Sequence, residues 1–76
     1  MKRITALTSG EKARIVKLEG TERFITRAIS VGLTIGNPVE MIQNEKKMPL
    51  LLFSRDSTIA LNRKECEGVY VEGNHA

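Results

Sequence analysis

Only one stretch of this 76-residue chain carries apolar residues at helical spacing. Everything around it is cut into runs too short for anything but strands. Phe24, Ile25, Ala28 and Ile29 fall at i, i+1, i+4 and i+5, one stripe of a short helix, with Arg23, Thr26, Arg27 and Ser30 on the other side. Thr21 is a good N-cap, because its hydroxyl can accept a bond from a free N–H of the first turn. Glu22 sits where the positive helix end favours an acid. Gly32 suits the left-handed residue that stops a helix. Gly36-Asn37-Pro38 then makes a second turn. The spacing predicts one helix over Thr21–Ser30 and a tight return into sheet, with Leu33 as a hydrophobic plug between the two glycines.

The flanks read as strands. Ala13 and Ile15 alternate with Lys12 and Arg14. The alternation breaks at Ile15-Val16, which predicts either a bulge or a strand buried on both sides. Val39–Gln43 forms the next strand, with Pro38 at its start, where a missing N–H is tolerated. Asn44–Lys47 is a polar loop. Leu50–Phe53 is a continuous apolar run, the pattern of a strand covered on both faces. Ser54–Ser57 is a hairpin turn, and Thr58–Leu61 a strand with Ile59 and Leu61 inward. Asn62 with Glu65 three places on predicts one helical turn, broken by Gly68. Val69–Val71 is the last strand, and 72–76 a polar, flexible tail.

So short a chain makes one domain, 1–76, with its core over about 7–71. Five strands at this spacing leave open edges unless the sheet curls into a small barrel, and the helix can cap an open barrel end. The expected core includes Ile15, Val16, Phe24, Ile29, Leu33, Val39, Leu51, Ile59 and Leu61, and Phe53 reads as core too.

Several function classes find little support. The net charge of +3 is spread among interspersed acids and bases, with no arginine-rich run of the kind that marks a nucleic-acid tail. Phe24 and Phe53 lie in apolar runs, which leaves Tyr70 as the one candidate for base stacking. The single cysteine, Cys66, excludes an internal disulfide and suits a reducing compartment. No apolar stretch follows the basic start, so no signal peptide is expected, and no segment approaches a membrane span. These features predict a cytoplasmic protein. The one histidine, His75, lies in the tail, and Cys66 stands between Glu65 and Glu67, which would raise its pKa. Those four residues lack the paired spacing of a metal site, so neither metal nor cofactor is expected.

The order of motifs resembles the FeoA family of small ferrous iron transport proteins. Leu7, Gly10, Glu11, Ala13, Ile15 and Val16 match its opening. Gly20, Arg27, Val31, Gly32, Leu33, Thr34, Gly36 and Val39 match its middle. Pro49, Ile59-Ala60-Leu61 and Val69-Tyr70-Val71 match its end. The chain departs from the pattern at Lys47-Met48, at Asp56, where a hairpin glycine is common, and at Cys66, where alanine is usual.

The resemblance implies an SH3-like β-barrel of five to six strands with one short α-helix, and no catalysis. It also implies a cytoplasmic accessory of FeoB, a ferrous iron transporter with a cytosolic GTP-binding domain. Three features could form the contact face: Arg23 with Arg27, Leu33 beside Ile35, and the loop Lys46-Lys47-Met48. Methionine adapts to irregular surfaces. The chain would act as a monomer or weak homo-oligomer, without inserting into the membrane. The alternatives are a free-standing relative of the SH3-like domain of iron-dependent repressors, binding a peptide or metal, and a small basic RNA-binding barrel.

Overall fold

The computed structural model describes residues 1–73. Strand β1 is Lys2–Arg3, followed by a 3-10 turn at Ile4–Ala6. β2 is Lys12–Leu18, α1 Glu22–Ser30, β3 Pro38–Gln43, β4 Leu50–Ser54 and β5 Ser57–Leu61. A second 3-10 turn, Glu65–Gly68, leads into β6, Val69–Gly73. The six strands form one antiparallel sheet in the order β1-β6-β2-β3-β4-β5. The sheet curls around one core with β1 and β5 as its two edges, a mainly β fold with a single helix.

Alternation decides what each strand buries. Ala13 and Ile15, Val39 and Met41, Leu50 and Leu52, Ile59 and Leu61, and Val69 and Val71 all point inward. The register of β2 against β6 slips between Ile15 and Lys17, so the predicted break is a bulge at Val16, which is half-buried. The β4–β5 hairpin closes through Ser54 opposite Ser57, with both Arg55 (φ 51°) and Asp56 (φ 63°) left-handed. A two-residue loop with that geometry matches the twist of the flanking strands, and aspartate is among the few non-glycine residues that accept it.

The helical corner follows its local chemistry closely. The Phe24 N–H donates to Thr21 Oγ1 at 3.1 Å, the predicted cap. At the other end Gly32 takes φ +101°. Its N–H donates to the Ile29 carbonyl at 3.1 Å, and the Leu33 N–H donates to the Ala28 carbonyl at 2.8 Å. This pair of bonds is a Schellman motif, which satisfies carbonyls the helix would otherwise leave open. Leu33, delivered by that turn, is fully buried in the same core as Phe24 and Ala28. The Gly36 N–H then donates to the Ile15 carbonyl at 2.7 Å, tying the corner to β2.

Five expectations need correction. Two expected core residues stay outside the core: Ile29 is 50% exposed, because the helix buries the line through Phe24 and Ala28 and Ile29 falls beyond its edge, and Val16 is only half-buried at the bulge. β4 is covered on one face only: Leu51 is half-buried and Phe53 is exposed. The core begins before residue 7, since Ile4 is fully buried behind β1. The helical turn spans Glu65–Gly68 and so begins later than expected, although Asn62 does act as a cap: its Oδ1 accepts from the Lys64 N–H at 2.8 Å and its carbonyl from the Cys66 N–H at 3.1 Å. Glu72 and Gly73, expected in the tail, pair with Arg14 and Ala13 in the sheet. His75 lies outside the described residues.

Candidate functional site

Arg23 and Arg27 stand exposed on the outer side of α1, bordering a groove of about 540 Å³ along the helix. Arg27 Nη1 lies 3.5 Å from Glu65 Oε1, on the second 3-10 turn. Such an exposed pair stabilises the fold by at most about 1 kcal/mol, so Arg27 is not needed to hold the structure.

The segment Lys46–Met48 is tethered rather than loose. The Met48 N–H donates to the Glu45 carbonyl at 3.2 Å, and Lys47 takes a left-handed φ of 70°. From outside, Arg63 Nε donates to the Met48 carbonyl at 2.9 Å, and Arg63 Nη2 donates to the Glu45 carbonyl. On the other flank Asn44 Nδ2 donates to the Thr5 and Leu7 carbonyls. Met48, 46% exposed, is thereby displayed on a braced turn.

The structure links these two features through one connection. Arg63 holds the Lys46–Met48 turn, and Glu65, two residues on, meets Arg27. Leu33 takes no part in that surface, since it is fully buried, whereas its neighbour Ile35 is 65% exposed.

A cleft of about 530 Å³ adjoins the same connection, lined by Arg3, Glu19, Thr21, Phe24, Lys64 and Glu67 among others. Sequence reasoning missed it, because its walls come from the end of β2, the helix cap and the second 3-10 turn. One junction, between Glu19 and Gly68, lies in its lining. The Glu19 N–H donates to the Gly68 carbonyl at 2.7 Å, and a Cβ on Gly68 would lie 1.8 Å from the Glu19 carbonyl oxygen. Gly68 was readable as a helix breaker, but nothing nearby in sequence signals that contact.

The reactive groups are held quiet. Burial pushes the Cys66 thiol up to about 12, and Glu65 pushes the same way against the opposing effect of Arg63. At neutral pH the group is a protonated, fully buried thiol, neither nucleophile nor ready ligand. Among the described residues no three carboxylate, thiol or imidazole side chains converge as a metal site would require. Tyr70 is flanked on both sides: it sits opposite Arg3 and Lys17 in the sheet, with Lys17 Nζ 5.5 Å from the ring centroid. Glu11, a motif residue, braces the first turn. Its carboxylate accepts from the Thr8 N–H, the Thr8 hydroxyl and Lys2, which together hold it below the usual carboxylate range.

The FeoA domain model matches residues 2–73. A search of the curated proteins finds no sequence match. Among solved structures, an iron uptake regulatory protein (FeoA) is 19% identical, covering 91% of this chain and 92% of that one, with a TM-score of 0.85. The FeoA protein from Chlorobium tepidum is 18% identical over 96% of this chain and 70% of that one, with a TM-score of 0.88. A manganese-dependent transcriptional repressor is 9% identical over 95% of this chain and only 41% of that one, at a TM-score of 0.87. At these identities the likeness establishes the fold, an SH3-like barrel with its seam left open between β1 and β5. The family match over nearly the whole chain goes further: this protein belongs to the FeoA domain family, which is associated with ferrous iron transport.

Proposed function

We propose that this protein is a cytoplasmic accessory of ferrous iron uptake. It binds the cytosolic part of a FeoB-type transporter and modulates that transporter's GTPase, without catalysing a reaction itself. The observation that carries this reading is the link between Arg27 and the Lys46–Met48 turn through Arg63 and Glu65. Arginine and methionine are enriched at protein interfaces. A turn braced before contact loses little further freedom on binding, which favours affinity.

The test compares fold with function. Arg27→Ala and Met48→Ala should each leave stability within about 0.5 kcal/mol, as surface substitutions do. Each should weaken retention on the transporter's immobilised cytosolic domain by about 2 kcal/mol, roughly thirtyfold. Transporter-dependent ferrous uptake should fall in parallel in cells lacking the native protein. Normal melting with normal binding and uptake in both variants removes this surface from the contact.

The likeness to a manganese-dependent repressor favours a second reading, a free-standing domain that binds a peptide or a metal. Anaerobic calorimetry with ferrous iron separates the two. Stoichiometric micromolar binding would support the second reading, and no heat would leave the first.

A further inference from the structure

β4 has the composition of a strand buried on both sides, yet this chain covers only one of them. Leu50 and Leu52 are fully buried, while Leu51 and Phe53 face outward. The register places Phe53 between Glu40 of β3 and Thr58 of β5, and Leu51 between Gln43 and Ala60. A slip in the β3–β4 register at Ile42 leaves that side chain 43% exposed beside them. Phe53, itself 39% exposed, borders a hollow of about 220 Å³. The rim of that hollow carries two cations, Lys12 and Arg55, and two anions, Glu40 and Asp56. Lys12 and Glu40 stand directly opposite each other across β2 and β3. The neighbouring edge strand, Ser57–Leu61, carries no charge and pairs, among the described residues, with β4 alone.

We propose that this outer face of β3, β4 and β5 binds a second copy of the chain across a twofold axis near Phe53. The charges select that occupant. A twofold contact sets a patch against itself, so each rim cation of one copy needs a rim anion of the other, in equal number. The rim meets that condition with two of each sign. A partner of uniform charge would oppose like charge at half of the rim. The layout also matches an interface, with an aromatic and aliphatic centre inside a polar border. The uncharged β5 edge lets two copies approach without repulsion there. None of these residues belongs to the proposed transporter contact.

Sedimentation equilibrium on the full chain tests the proposal. The native protein should show a concentration-dependent monomer–dimer equilibrium at chain concentrations up to about 1 mM. Phe53→Ser should abolish it while the circular dichroism spectrum stays native. Lys12→Glu and Glu40→Lys should each weaken dimerisation about tenfold or more, because each makes both positions of the pair alike in sign. Mixed in equal amounts, those two variants should dimerise again, since a doubly acidic pair in one chain then faces a doubly basic pair in the other. That rescue cannot arise from a folding defect in either variant. A native protein that remains monomeric at about 1 mM, or a mixture that fails to recover dimer, overturns the proposal.

Discussion

Two glycine junctions hold the chain around the helix, and they work by different physics. At Gly32 the requirement is local. The residue must take a left-handed φ so that its own N–H and that of Leu33 can reach the last helical carbonyls, and no atom lies within 4 Å of where its Cβ would be. At Gly68 the requirement comes from across the fold. The carbonyl oxygen of Glu19, far away in sequence, occupies the space a side chain would need. One glycine is there for its conformation, the other for its lack of volume. The second kind tolerates no replacement, because backbone on both sides is fixed by strand pairing.

The sharpest way to break that comparison is Gly68→Ala. The added Cβ must displace the Glu19 backbone, and the bond from the Glu19 N–H to the Gly68 carbonyl is lost with it. Overpacking of about 3 kcal/mol plus about 1 kcal/mol for the bond gives a loss on the order of 4 kcal/mol, enough to unfold most of so small a chain. Urea unfolding of the variant measures it. A loss below about 1 kcal/mol would show that the junction can open at little cost.

Leu33→Ala should come next, at about 3 kcal/mol, the usual cost of emptying a fully buried leucine site. This substitution leaves the Schellman bonds in place and removes only what they deliver to the core. A denaturation midpoint near that of the native protein would mean that the corner is held by its hydrogen bonds alone. Gly32→Ala should be mildest, about 1 kcal/mol, because the added methyl meets open space and only the left-handed backbone is strained. Thermal melting of the three variants should rank them in that order. If Gly32→Ala were as damaging as Gly68→Ala, conformation and volume would not be separable at these two sites.

The sequence was most legible where the physics is short-ranged. Thr21, Phe24, Ala28, Gly32 and Leu33 lie within a few residues of the groups they cap, bury or turn, and each behaves as its local pattern predicts. The break at Ile15-Val16 is a bulge because a slip in a period of two is written into the strand itself. The candidate surface was legible in part. Arg27 and the Lys46–Met48 segment were readable as exposed polar elements, but their connection was not, because Arg63 and Glu65 join them only after β4 and β5 have paired. Leu51 and Phe53 misled for the same reason: an apolar run shows that a strand can be covered twice, not whether a second layer exists to cover it. By itself, then, the sequence determined the five strands β2 to β6, the helix, its caps and the hairpin turn, since those depend on neighbours a few bonds away, but not β1. Only the tertiary structure decided that Glu19 passes against Gly68, that Glu72 and Gly73 join the sheet, and that one side of β4 stays open, because those depend on which distant segments become neighbours in space.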